Sequence, residues 1–213
     1  MSVQFVASCT ILGGTNGSGK STIYEEAVRP QIEGEFVNAD IIARRISPEA
    51  PEAASLRAGK QVIVRLDDLI TKRQNFVHET TLSSRQSLTV MRQARAAGYQ
   101  VGLIFVVLHS VELNILRVRE RVRMGGHSIP ERDIRRRYDR AIANLPEAIK
   151  AAHQTAVYDN SSTSHVKLIE ISDGHVVFNA LDETNGTHCQ IADAVGSALD
   201  IAPHMVFKTE KPA

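Results

Sequence analysis

Tryptophan is absent, aromatic residues make up 5% of the chain, and only two of its 213 residues are cysteines. Cys9 and Cys189 can form neither a disulfide framework nor a thiolate metal cluster. Cys9 lies in an uncharged apolar run, which makes it a small core residue. An excess of either charge is also missing: 25 Lys and Arg stand against 24 Asp and Glu. That balance argues against a general nucleic-acid or membrane-surface binder. The longest apolar run, "LIFVVL" at 103–108, is far too short to cross a bilayer. No basic region followed by an apolar segment opens the chain, so no signal peptide is expected, and a cytoplasmic location is the simplest reading. Repeats, low-complexity blocks and an obvious linker are lacking too. The expectation is therefore one α/β domain over about 1–205, with 43% hydrophobic residues to fill its core. A polar, proline-punctuated tail is expected over 206–213.

What is present alternates between two periods. Residues 3–12, "VQFVASCTIL", read as a buried strand ended by glycines, and a helix should run from Lys20 to about Arg29-Pro30. "EFVNA" at 35–39 and "NFVHE" at 75–79 read as short strands. Between them Leu56, Ile63, Leu66 and Ile70 define one face of a helix over 52–73. A helix over about 85–97 and a turn at Gly98 lead to "YQVGLIFVVL" at 99–108, the strongest strand pattern and a central one. Val111, Ile115, Val118 and Val122 mark the next helix; Ile134, Tyr138, Ile142 and Leu145 mark another after a glycine break at 125–126. "TAVYDNS" reads as a strand, 165–178 as a hairpin turning at Asp173-Gly174, and about 188–200 as a closing helix; Gly186 reads as a turn. Strands alternating with helices predict a parallel sheet covered on both faces.

Gly14, Thr15, Asn16, Gly17, Ser18, Gly19, Lys20 and Ser21 fit G-x-x-x-x-G-K-[ST], between a strand and a helix. Glycines there let backbone N–H groups curl round an anion, and the helix N-terminus adds partial positive charge. Lys20 is expected to reach the β- and γ-phosphates of ATP, with the Ser21 hydroxyl on Mg²⁺ and Thr22 beside it. A purely structural glycine turn is the bland alternative. A phosphate loop alone leaves the reaction open. Guanine selectors of the N-K-x-D type are missing, which removes the GTPase reading.

Asp40 ends "FVNAD" on the sheet edge where the loop opens. It fits a general base for an attacking hydroxyl and fits equally a cap for the helix that follows. Glu79 in "HETTL" sits on the same edge, to hold a substrate hydroxyl, to orient magnesium-bound water or to cap a helix; Thr80 and Thr81 follow it. Residues 117–140 carry nine arginines around "MGGHSIP", with Arg117 and Arg121 on one helical stripe and Arg119 and Arg123 on the next. They describe the hinged lid of a small-molecule kinase, although a solvated basic face must account for most of them. An RNA-binding strip is disfavoured because no aromatics interleave. His78, His109 and His127 lie near the expected cleft edge, where a structural role is the commoner one for a lone histidine.

Together, "GGTNGSGKST", "FVNADIIA", "FVHETTLSS", "GYQVGLIFVVL", "RVRERVRMGGHSIPERDIRRRY", "NLPEAI" and "VYDNSS" resemble the zeta-toxin family of P-loop kinases, in the family's order and over roughly residues 5–162. The resemblance implies ATP-dependent phosphorylation of a nucleotide-sugar hydroxyl, typically on UDP-N-acetylglucosamine, and a small helical antitoxin over the ATP site. It implies Asp40 as base, Lys20 on phosphate and Glu79 on the sugar. Arg121 and Arg137 become the lid arginines, with Arg123 close behind. It also brings Asn160 near the adenine; a plain turn after the strand is the other reading. Two features depart from the family: the chain is compact, and Asn38 stands where many members carry a second acid. Other acceptors (a polynucleotide 5′-end, a metabolite, another nucleotide) and a partner-controlled nucleotide-binding module stay open. Nucleic acid and membrane are not expected as partners.

Overall fold

The computed structural model describes residues 6–126 and 128–209. Its centre is a seven-stranded sheet ordered β2-β3-β1-β4-β5-β6-β7. The strands are β1 (Ser8–Gly13), β2 (Glu35–Asn38), β3 (Phe76–Thr80), β4 (Gln100–Val107), β5 (Gln154–Asp159), β6 (Val166–Ser172) and β7 (His175–Asn179). Pairings through β5 are parallel, while β6 and β7 add an antiparallel hairpin. This is a mixed α/β fold, a mostly parallel sheet flanked by helices. β4 is central, as its unbroken apolar run requires of a strand covered on both sides. The hairpin turns at Asp173 and Gly174, both with positive φ (46° and 80°), the backbone that a two-residue turn demands.

Alternation along the strands builds two apolar layers. Cys9, Ile11, Phe76, Leu103 and Phe105 face the main core, packed by α3 (Ser55–Thr71), α4 (Arg85–Ala96), α6 (Glu131–Ala151) and α7 (Gly186–Leu199). Leu12, Val77 and Val106 face the other way, towards Ile23 and Val28. Cys9 is fully buried, which pushes its thiol pKa well above the usual range. α5 (Val111–Arg123) and the start of α6 share a separate cluster of Ile115, Val118 and Ile134. α5 thus packs on the start of α6, whose later turns belong to the main core.

Several expectations need correction. The helix at Lys20 is α1 only to Ile23 and then widens into a π-helical turn over Tyr24–Val28, where Arg29 N–H donates to Tyr24 O (2.8 Å). Within that wide turn Tyr24 stacks on Phe36, with ring centroids 3.8 Å apart. α3 buries Ala58, Val62, Leu66 and Leu69, leaving Leu56 and Ile63 74% and 43% exposed. Alanine adds little hydrophobicity to a pattern but lets backbones approach, so the face is rotated from the expected one. α7 begins at Gly186, which opens the helix behind an Asn185 cap rather than forming a turn. The expected tail is anchored at its start: Val206 is buried, Phe207 packs on the core, and Asn179 Nδ2 donates to Val206 O (2.6 Å). Residues 210–213, like residues 3–5 of the first strand and His127, lie outside the described residues.

Candidate functional site

The residues singled out from the sequence converge at the carboxyl edge of the parallel strands. Register sets this up: β1 places Leu12 beside Glu79 and Gly13 beside Thr80, and β2 places Asn38 beside Glu79. In α/β sheets that edge is where ligands sit.

The loop from Gly14 to Gly19 is shaped by what cannot stand there. At Gly14 (φ 144°) a Cβ would lie 2.4 Å from Val106 O, and at Gly19 (φ 89°) 2.0 Å from Asn160 Nδ2. Only glycine fits both the backbone angle and the space. Lys20 folds back into the loop, where Nζ donates to Gly14 O (2.7 Å) and Thr15 O (3.1 Å) and stands 3.9 Å from Glu79 Oε1. Burial pushes the Lys20 pKa down; Glu79 and Asp40 pull it back up, while Arg121 and Arg137 oppose them. Ser21 is exposed and lines the cavity over the loop, and Thr22 is exposed beside it.

Two asparagines brace the loop from outside. Asn114, fully buried on α5, donates from Nδ2 to Thr15 Oγ1 (2.9 Å) and Asn16 O (2.8 Å). Sequence reasoning passed over it, although a polar residue interrupting the Val111–Ile115–Val118 stripe was the available signal. Asn160 donates one amide N–H to Ser18 O (2.9 Å), which braces the loop from the end of β5. Asn114→Ala should therefore cost about 1–3 kcal/mol in denaturant unfolding, the scale of buried hydrogen bonds lost. It should also weaken ATP binding; unchanged unfolding and affinity would show that the brace is idle.

Asn38 resolves the capping question. Its Oδ1 accepts from Ile41 N–H (2.9 Å), capping α2 (Ala39–Ile46), and its Nδ2 donates to Glu79 Oε2 (2.8 Å). Asp40 is not the cap but an exposed carboxylate in the first turn, and Glu79 lies inside β3, with α4 starting after Ser84. Thr80 Oγ1 and Ser87 Oγ share a hydrogen bond (2.8 Å), as do Thr81 Oγ1 and Ser83 Oγ (2.8 Å), so both threonines shape the turn while lining the cleft. His78 is buried against the Val37 carbonyl, its pKa lowered by burial, and His109 is exposed.

The nine arginines separate by partner. Arg119, Arg135 and Arg136 spend themselves on Glu131, Glu112 and Asp133. Arg137 Nη1 donates to Asn16 Oδ1 (2.9 Å), bringing α6 onto the loop. Arg121 shares the cavity wall with Arg117, its neighbour one turn earlier, whereas Arg123 is exposed in the last turn. Where the expected joint begins, Gly126 N–H donates to Arg121 O (2.9 Å) and Gly125 N–H to Val122 O (3.0 Å), the pairing of a Schellman motif that ends α5.

Three cavities meet here. One of about 480 Å³ covers the loop and reaches Lys20, Ser21, Glu79, Arg117 and Arg121. Another, of about 560 Å³, is walled by Glu79, Thr80, Thr81, Leu56, Ile63 and Arg137. The third, about 540 Å³, lies between α2 and Gly125-Gly126. Asp40 lines all three.

A model of the family described as Zeta toxin matches residues 7–180. An uncharacterized protein of Haemophilus influenzae is 36% identical over 128 residues, covering 59% of this chain and 88% of that one. Similar solved structures include the PezAT chromosomal toxin–antitoxin system of Streptococcus pneumoniae, with TM-score 0.62 and 16% identity over 92% of this chain and 88% of that one. The AvrRxo1-ORF1:-ORF2 structure with ATP gives TM-score 0.63 and 12% identity, covering 97% and 77%. Its counterpart with sulphate ions gives 0.63 and 13%, over 80% of this chain and 60% of the other chain's length. At such identities the structural likeness shows a shared fold.

Proposed function

The chain belongs to the zeta toxin family, and from that premise we propose that it is a kinase passing the γ-phosphate of ATP to a hydroxyl of a nucleotide sugar, with UDP-N-acetylglucosamine as the first acceptor to try. The observation that carries the reading is Asp40. Its carboxylate is freed from capping by Asn38 and stands where the cavity over the loop meets two others deep enough for an acceptor. The structurally similar AvrRxo1-ORF1:-ORF2 assembly with ATP supports the choice of nucleotide.

In this reading Asp40 takes the proton of the acceptor hydroxyl as its oxygen bonds to the γ-phosphorus, and the bridging P–O bond to the β-phosphate breaks, its electron pair leaving with ADP. Backbone N–H groups of the loop and Lys20 hold the phosphates. Arg121 and Arg137 offset the charge spread over the transferring group. Glu79, steadied by Asn38, holds the acceptor beside Asp40. Among the described residues no three His, Cys, Asp or Glu side chains gather as a metal site. The exposed Ser21 hydroxyl in the loop cavity nevertheless fits Mg²⁺, which binds mostly through phosphates and water. Bound there, Mg²⁺ supplies neutralising charge to the phosphate oxygens.

A small helical antitoxin covering the ATP site, and a cytoplasmic setting, belong to the same proposal; the fold shared with PezAT, a toxin–antitoxin system, supports the partner. The test is ATP turnover against a panel of UDP-sugars, read by phosphorus NMR. A new phosphomonoester on UDP-N-acetylglucosamine is the expected result. Bound ATP with no product across the panel overturns the choice of acceptor.

A further inference from the structure

The turn that leads from Thr80 and Thr81 into α4 holds a backbone its sequence does not favour. Leu82 has φ 56°, a left-handed conformation that a bulky apolar residue rarely adopts, and its side chain is fully buried. Such backbone persists only where its surroundings over-determine it, and it gathers at ligand clamps and switches. Here Leu82 N–H donates to Thr80 Oγ1 (3.2 Å), which is itself bonded to Ser87 Oγ. Leu82 O accepts from Asn144 Nδ2 on α6 (2.9 Å). Asn144 alone among these partners comes from outside the β3–α4 segment.

The same helix also grips the phosphate loop, through the bond from Arg137 Nη1 to Asn16 Oδ1 (2.9 Å). Asn144 follows Arg137 by two helical turns on the same side of α6, about 10.5 Å along its axis. Neither glycine nor proline lies between them, and Tyr138 and Ala141 are buried there, so this stretch is stiff. Just beyond Asn144 the helical ladder breaks. Pro146 has no N–H to give Ile142 O, and bending of α6 concentrates at that point. The stretch from Arg137 to Asn144 can therefore tilt slightly as one piece. Asn16 and Arg137 line the same cleft as Thr80, Thr81, Ser83 and Ser84, so both of its contacts border one ligand space.

We infer that α6 is a strut coupling the two halves of the site, with Asn144 as the positioning residue. Nucleotide in the loop fixes Arg137, and Asn144 passes that order to the turn that meets the acceptor. Phosphate oxygens accept from a guanidinium more strongly than the Asn16 amide oxygen does, so a filled loop tightens the hold on Arg137. The turn at Leu82 then loses its freedom to relax, and the acceptor meets a preformed wall. By linkage the effect is reciprocal: whatever orders the turn also favours nucleotide in the loop. ATP and acceptor therefore bind cooperatively. The word acceptor rests on the kinase reading; the strut itself rests on the hydrogen bonds at its two ends.

The test is amide hydrogen exchange on the full chain, with and without saturating adenosine 5′-(β,γ-imido)triphosphate and magnesium. No acceptor is needed. In the parent the analogue should slow exchange across the loop at 14–21. It should also slow exchange at the 81–85 turn about fivefold or more, the lower end of typical coupling between sites. Asn144→Ala, and Asn144→Asp, which keeps the size but loses the donor, should retain the loop's response and lose the turn's. Arg137→Ala, at the other end of the strut, should do the same, which a local packing role for Asn144 does not predict. A turn that fails to respond in the parent, or still responds in these variants, overturns the strut. Loss in the Asn144 variants alone makes the asparagine a local staple of the turn and overturns it too. No protection of 14–21 in the parent overturns the phosphate-loop reading beneath it. An acceptor panel without product, beside an intact response at the turn, condemns only the choice of acceptor.

Discussion

Lys20→Ala should abolish ATP turnover, by about a thousandfold or more, in a protein that still folds. The loss follows from position: Nζ is the buried cation at the centre of the loop, bonded to Gly14 O and Thr15 O. Removing one preorganised group that stabilises charge developing in a transition state costs about 10²–10³ in rate, and here a full charge goes as well. Folding should survive because Lys20 is a stability cost. Its folded pKa is lowered, mainly by burial, so the unfolded chain binds the proton more tightly. The penalty is present in full below the folded pKa and fades as pH rises towards lysine's ordinary value. Alanine removes it, offsetting the two lost hydrogen bonds, and the thermal midpoint should fall by no more than a few degrees. Lys20→Met, which keeps the apolar stem, should be equally inactive. Full turnover in either variant would end the phosphate-loop argument, and a collapsed near-UV spectrum in both would make Lys20 structural instead.

The loop was legible because its chemistry is local: eight consecutive residues carry both the backbone angles and the cation. The centrality of β4 and the turn at Asp173-Gly174 were legible for the same reason, each being written in one short run. Relations between distant segments were not. Nothing in "FVNAD" or "FVHETT" announces that register places Asn38 beside Glu79, or that the asparagine caps α2 with one atom and holds the glutamate with another. Asn38 looked like a lost acid; in the fold it is what leaves Asp40 free. The arginines show the same limit. Their helical stripes were readable, but which of them meet acids depends on Glu112, Glu131 and Asp133 arriving from other turns. The stripes therefore point to Arg123, while it is Arg117 that lines the cavity beside Arg121. On α3 a pattern weighted by hydrophobicity favoured Leu56 and Ile63, while close packing selected Ala58.

Asp40→Asn should leave ATP affinity within about twofold and lower kcat at least about a hundredfold, the scale of general-base catalysis. The substitution is nearly isosteric and keeps the side chain at the meeting of the three cavities, so what it removes is the capacity to accept a proton. The capping alternative makes the opposite prediction, and the geometry already weighs against it, since Ile41 N–H is satisfied by Asn38. Losing one negative charge from the first turn of α2 should cost only about 0.3–1 kcal/mol. Asn38→Ala supplies the contrast: it removes the cap, worth about 1 kcal/mol, and leaves Glu79 without its amide partner. That variant should lose stability, and its acceptor KM should rise more than its kcat falls. If Asp40→Asn instead unfolds as easily as Asn38→Ala while turning over within tenfold of the parent, Asp40 is a helix-terminal charge and not the base. Glu79, on the same wall and 3.9 Å from Lys20, is then the carboxylate to test for that role.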